Sequence, residues 1–348
     1  MAVPVANFDV FTNEFFVKKL KDNFFLKSPF LMKMRAQQKT FEGGNQIKLP
    51  VSYKKSPNTA AWRGRMATIA TDYVQHATDA VFDLAMYVAS LTIPETDQWL
   101  NAGDAKVVDL LKAQTEMVEE SLVDTLATDF FGTGVNNSAG AKTIDGLQAL
   151  MTRNADGSEG AYGDISRASS NSTKASWTDN GTDNSWWNAN VFAANASASI
   201  NFWKGAQTIG NTTTLSIAKI QQLYGICSDG ASKPNLFITG QLVFDAYSAL
   251  VQNLNRQTNE TSVGAAGFQT LEYSSVPFVV DDLINAPGTL YALNLNELDL
   301  RVLKAADFAA TEWRSPANQQ AKIKFINFIA NLTTQKARAH GATTGFTG

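Results

Sequence analysis

The order of apolar and polar positions divides the chain into segments of distinct texture. Residues 45–53 (Asn-Gln-Ile-Lys-Leu-Pro-Val-Ser-Tyr) alternate apolar and polar, the period-two signature of a half-buried strand. Pro50 inside that run confines it to a sheet edge, because proline has no N–H to give to a ladder. A polar stretch with Pro57 and Gly64 follows, and residues 78–93 resume the alternation, with Phe82, Leu84, Met86 and Val88 expected on one side. The two runs predict a long two-stranded arm. Such an arm is at best marginally stable in water by itself, so it needs a partner surface.

Pro94-Glu95-Thr96 punctuates the end of the arm, and residues 104–131 then carry the strongest helical pattern in the chain. Val107, Leu111, Val118, Leu122, Leu126 and Phe130 recur at spacings close to 3.6, and Gly132 stops the run. At 1.5 Å per residue this predicts a helix of about 42 Å. Its polar faces hold Asp104, Asp109, Glu116, Glu119, Glu120, Asp124 and Asp129 against Lys106 and Lys112.

Residues 152–190 are rich in Gly, Ser, Asn and Asp and read as extended loops, pinned by Trp177, Trp186 and Trp187. From residue 215 short elements alternate. Helices are predicted at Leu215–Cys227 and Leu242–Leu254, and strands at Leu236–Thr239, Val276–Val280 and Leu290–Leu295. This is an α+β module of about 100 residues, a typical domain size. Lys322–Leu332 packs Ile323, Phe325, Ile326, Phe328 and Ile329 closely and reads as a buried strand returning to the first core. The first 40 residues mix Phe15, Phe16, Phe24, Phe25 and Phe30 with Lys18, Lys19, Lys21 and Lys27; they have too little apolar mass for a core and are expected to lie along another surface.

Charge sharpens this picture. Of 348 residues only 18% are charged, against roughly 25% in average soluble domains, so much of the surface is not destined for water. Residues 1–65 hold twelve Lys/Arg and four acids, residues 315–348 four bases and no acid, and the stretch between has a net charge of -15. A chain basic at both ends and acidic between can mate with copies of itself, since complementary potentials steer association and fix register. The net charge of -3 argues against a dedicated nucleic-acid binder.

Candidate chemistry is sparse. One cysteine, Cys227, excludes an intrachain disulfide and multi-cysteine metal sites, and reads as a small buried hydrophobe. His76 falls in the arm and His340 in a tail that looks disordered, poor places for a preorganised base. No phosphate-binding loop, dinucleotide fingerprint or nucleophile elbow is present. Asp281-Asp282 is the best carboxylate pair, but neighbours on a strand point to opposite faces, so a turn cap is the expected role. No catalytic residue, metal or cofactor is expected. The three tryptophans leave open a tail or surface protein that binds glycans by stacking. Met1 to Val10 shows no signal-peptide pattern, no segment reaches the length of a membrane span, and the seven Asn-x-Ser/Thr triplets follow from composition.

The element order, and several local stretches within it, resembles the major capsid protein family of tailed bacteriophages with the Hong Kong 97-type fold. Ile144-Asp145-Gly146-Leu147 resembles the short strand after the family's spine helix, and Tyr162 to Arg167 with Trp186-Trp187 is similar to a loop of that family. Pro234 to Thr239 with Tyr247, Leu271 to Asp282 and Thr289 to Asn294 resemble its axial domain, and Asn331 to Gly341 its peripheral-domain return. The resemblance implies an α+β fold with an N-terminal arm (1–40), an extended two-stranded loop (41–95), a peripheral domain with the spine helix (96–210), an axial domain (211–314) and a return segment (315–348). It further implies self-assembly as hexamers and pentamers into an icosahedral virion shell around double-stranded DNA, built in the host cytoplasm, with portal and scaffold proteins as partners and only weak non-specific DNA contact. No fused scaffold is expected, and no crosslinking lysine–asparagine pair transfers. An encapsulin-like compartment shell is the alternative on the same fold. Within either shell, the loop tip (Lys54, Lys55, Trp62, Arg63, Arg65) is expected to lie over the acidic helix face (Glu116, Glu119, Glu120, Asp124) of a neighbour.

Overall fold

The computed structural model describes residues 28–53, 73, 75–96, 110–134, 142–151, 162–165, 187, 189–193, 199–202, 205–208, 213–252, 271–284, 286–316 and 319–347. In chain order these form α1 (Pro29–Ala36), β1 (Lys39–Phe41), β2 (Gln46–Ser52), β3 (Ala77–Asp83), β4 (Ala85–Pro94), α2 (Leu110–Asp129), α3 (Leu147–Met151), β5 (Asn190–Ala193), β6 (Ser199–Phe202) and β7 (Gly205–Thr208). There follow α4 (Ile217–Cys227), β8 (Leu236–Thr239), α5 (Gln241–Gln252), β9 (Leu271–Tyr273), β10 (Val276–Val280), β11 (Leu290–Leu293), β12 (Leu298–Leu303), β13 (Ala309–Ala310), β14 (Ala321–Thr334) and β15 (Gly341–Thr344).

Two larger sheets organise the molecule. One is the six-stranded sheet β5-β15-β11-β8-β10-β9. Its central strands are apolar at successive positions because both faces are covered. Leu236, Ile238 and Leu293 face one core, while Phe237, Phe278, Leu290 and Ala292 face a second core built with α4 and α5. In that second core Phe278 stacks between Phe237 (4.6 Å) and Tyr247 (4.3 Å). Ser216 starts α4 by accepting from the Lys219 N–H, and Ser274 and Ser275, both left-handed, form the two-residue turn between β9 and β10.

The second sheet runs β1-β12-β14-β13, with β4 paired to β14 over ten residues. Around it lies the first core, where α1 and the end of α2 meet: Phe30 contacts Phe130 edge-on at 5.8 Å and Phe131 at 5.7 Å. The described part of the N-terminal arm is thus docked on its own chain, as a helix capped by Ser28 and opened by Pro29.

The arm is a two-stranded antiparallel pair, β2 with β3, and Ile47, Leu49 and Val51 on its inner face are buried. Pro50 sits on a strand with one partner, as expected of an edge. Residues 78–93, however, are not one strand. The chain breaks at Leu84, and a one-residue slip exchanges the faces of everything downstream. Phe82 is therefore buried while Met86 and Val88, expected beside it, are 65% and 62% exposed.

The described helix α2 ends at Asp129, two residues short of the expected 131, and residues 104–109 lie outside the described residues. Ile144 to Leu147 is not a strand. It is an irregular segment laid across the end of α2, where Leu147 N–H donates to Phe130 O (2.7 Å) and Ala149 N–H to Gly132 O (3.2 Å), satisfying carbonyls left open at a helix C-terminus. The approach requires Gly146: a Cβ there collides with the backbone oxygens of Asp129, Phe130 and Gly132.

Candidate intersubunit surface

The acidic face expected to receive a neighbour lies on α2. Leu122, Leu126 and Ala127 anchor its C-terminal half in the core. Glu116, Glu119 and Glu120 are exposed, with Met117 exposed among them, and Asp124 is half-buried. Asp129, grouped with these acids by sequence, turns inward and accepts from the Tyr87 hydroxyl at 2.7 Å. The opposing partner set, Lys54, Lys55, Trp62, Arg63 and Arg65, lies outside the described residues.

The base of the arm is joined to the spine helix and the return strand by a polar network. Asp83, the last residue of β3, accepts from Lys142 Nζ (2.8 Å) and Gln46 Nε2 (2.8 Å). These partners, the lysine hydrogen bond foremost, hold its carboxyl below the usual carboxylate range. Asn331 is fully buried on β14; its amide donates to Asp83 O (2.7 Å) and Asp145 Oδ2 (2.8 Å), and its oxygen accepts from Asp145 N–H (2.9 Å). Burial pushes the Asp145 carboxyl up. The Tyr87 hydroxyl accepts from Ile144 N–H (3.0 Å) while donating to Asp129, and burial pushes it well above the usual phenol range. The network ties the arm base, the 144–147 segment and β14 together. The sequence pattern does not reveal it: Asn331 stands out as part of an Asn-x-Thr triplet and as the start of the return stretch, and Lys142 and Tyr87 not at all.

Two further expectations concern buried groups. Asp281 is the cap that its position suggested, with a distant client: it accepts from Ser28 Oγ and Phe30 N–H at the start of α1, besides Leu283 N–H (3.2 Å). Burial raises its carboxyl above the ordinary value. His340 does not lie in a loose tail. It is fully buried, its Nδ1 accepts from Asn294 N–H (3.3 Å), and Nε2 lies 3.3 Å from Thr334 Oγ1. Burial lowers its pKa to about 3, so it is a neutral structural imidazole. Cys227 is buried, as expected.

The tryptophan platform loses its describable member. Trp187 is fully buried and donates Nε1–H to Tyr162 O at 2.7 Å, so it anchors the Tyr162–Ile165 turn. Trp177 and Trp186 lie outside the described residues. Among the described residues no group of three His, Cys, Asp or Glu side chains is placed to hold a metal ion, and no helix is long and apolar enough to cross a membrane.

No family model and no curated protein sequence matches the chain. Solved structures match it over nearly its full length. It is similar to the capsid protein of cyanophage A-1(L), with a TM-score of 0.67 at 14% identity, covering 98% of both chains. It is similar to the capsid protein of Myoviridae phage XM1, with a TM-score of 0.58 at 10% identity, covering 99% of both chains. It is also similar to the SrpI encapsulin of Synechococcus elongatus PCC 7942, with a TM-score of 0.55 at 9% identity over 99% of this chain and 96% of that one. The chain has the α+β fold of these phage capsid proteins.

Proposed function

We propose that the chain is a major capsid protein of a tailed phage, which self-assembles into the icosahedral head shell around double-stranded DNA. The observation that carries this reading is the likeness, across at least 98% of the chain, to capsid proteins that are 14% and 10% identical to it. Low charge content and the uneven charge distribution support a fold completed by neighbours. The contacts are made between copies in hexamers and pentamers, with portal and scaffold proteins as assembly partners, non-specific contact to DNA, and the virion as the place of action. The chain has no catalytic turnover in this reading, and its parts are an arm (1–40), an extended loop (41–95), a peripheral domain (96–210 and 315–348) and an axial domain (211–314).

The tip residues Lys54, Lys55, Trp62, Arg63 and Arg65 lap onto the Glu116, Glu119, Glu120 and Asp124 face of an adjacent copy. The exposure of the three glutamates supports this placement. A compartment shell is the second reading, favoured by the encapsulin likeness. Negative-stain microscopy of the purified chain, followed by analysis of particle contents, tests both. Uniform shells are expected, filled with DNA when portal and scaffold proteins are supplied; shells holding protein cargo favour the compartment, and a small soluble species that persists with scaffold present removes both.

A further inference from the structure

β4 is an edge strand with little to protect it. It pairs with β14 from Ala85↔Ala330 to Pro94↔Ala321, and among the described residues no strand pairs with its other edge. One face of β4 turns Ala85, Leu91 and Ile93 inward. The other presents exposed Met86 and Val88, followed by exposed Ser90 and Thr92, and across the ladder the same face continues to Phe325, opposite Ser90, and to half-buried Ile329, opposite Met86. None of the ten residues of β4 is charged.

Native sheets guard an exposed edge with charged side chains, bulges, prolines or short strands. Among the described residues β4 has one such device, Pro94 at its very end. An uncharged edge beside exposed apolar side chains, left in water, is an aggregation site. Its cover must therefore be present whenever the chain is present, and in equal number. A second copy of the chain meets that condition with no further component.

The size of the strip sets the strength of the contact. Ten residues at about 3.3 Å make a strand of about 33 Å, and two strand spacings make a strip about 10 Å wide, or about 330 Å² on each partner. Stable complexes bury about 800 Å² per partner, so this strip alone holds no dimer. It is suited to an assembly in which several contacts grip each copy at once.

We propose that the free edge and outer face of β4, with Met86, Val88 and Phe325, form an uncharged contact with a second copy of the chain inside the shell. This rests on the shell reading above and adds to it a contact that salt does not weaken. Val88→Lys places an unpaired charge in the strip, whereas Val88→Thr keeps the shape. With wild-type chain that forms particles, Val88→Lys lowers particle yield roughly tenfold or more at both low and high salt, and Val88→Thr lowers it less. Both variants keep the wild-type melting temperature as free chains. Amide exchange along residues 86–93 slows roughly tenfold or more from free chain to particle. Full particle yield from Val88→Lys, or equally slow exchange in free chain and particle, overturns this contact and leaves the shell reading standing. Absence of particles from the wild-type chain with scaffold supplied overturns both.

Discussion

The side-chain amide of Asn331 donates to the backbone oxygen of Asp83 across 2.7 Å, joining residues 248 apart in sequence. The bond fixes the base of the arm to the return strand at the point where β3 gives way to β4. The same amide group serves Asp145, so three separate segments depend on one residue.

Replacing Asn331 by Ala strips partners from Asp83 O and from the Asp145 side chain and N–H together. Unsatisfied buried groups cost about 1–3 kcal/mol each, with part of the loss recovered by water, so Asn331→Ala is expected to destabilise by about 2–4 kcal/mol in urea unfolding. Asn331→Asp sets a second carboxylate against Asp145, and its defect is expected to ease in acid as that pair takes up a proton. A change below about 0.5 kcal/mol, the range of ordinary surface substitutions, rules out the network as a clamp.

Much of the fold was legible from sequence where the determinants are local. Leu236–Thr239 and Val276–Val280 form strands at the expected residues, because short apolar runs bounded by turn residues have few alternatives. Leu122, Leu126 and Phe130 line the buried face of the helix region as their spacing required. The break at Leu84 was not legible: both parities of the run carry apolar residues, and pairing with β14 decides between them. Ile144 to Leu147 misled for another reason: the strand is implied by the family resemblance, and the sequence Ile-Asp-Gly-Leu does not distinguish a strand from a segment pressed on a helix end. The burial of His340 and the clamp at Asn331 come from partners distant in the chain, which no window of sequence contains.

Asp281 and Ser28 lie 253 residues apart, and their hydrogen bond ties the six-stranded sheet to the start of α1. Asp281→Asn keeps an acceptor for Ser28 and Phe30 and removes a buried charge; it is expected to stay within about 1 kcal/mol of wild type. Asp281→Ala leaves the helix start uncapped and is expected to cost about 1–3 kcal/mol. The carboxyl is raised in the folded state, so its contribution is full below the unfolded value of 3.8 and is lost as pH rises through the folded value. Asp281→Asn therefore gains on wild type as pH rises from 4 towards neutrality. Unfolding curves in which the two track each other at every pH exclude this role.

His340 has the opposite sign. Its pKa falls from 6.5 unfolded to about 3 folded, so between these values the unfolded chain binds more protons and stability rises with pH. The contribution is complete above pH 6.5 and drains away as pH falls towards 3. Acceptance from Asn294 N–H at Nδ1 requires the proton on Nε2, facing Thr334. In His340→Gln that titration is gone. The stability difference between wild type and variant is expected to grow from pH 3 to 6.5 and then level off, read by urea unfolding at fixed pH values. A difference independent of pH excludes a buried neutral imidazole.

The proposed charge contact makes a separable demand on assembly. Exposed ion pairs give only about 0.2–1 kcal/mol each, too little to matter to one chain yet enough when repeated at every copy of a shell. Arg63→Glu with Arg65→Glu is therefore expected to lower particle yield roughly fivefold or more at low salt, without changing the melting temperature of the free chain. Glu116→Lys with Glu120→Lys is expected to do the same from the other side, because both glutamates are exposed on α2. Joining the two reversals in one chain restores opposite signs across the contact, and yield is expected to recover in part. Raised salt weakens the wild-type contribution by screening, which separates this contact from the uncharged strip on β4. Sedimentation of particles from the four chains decides the matter: unchanged yield from either reversal, or no recovery on combining them, removes the pairing of loop tip and helix face.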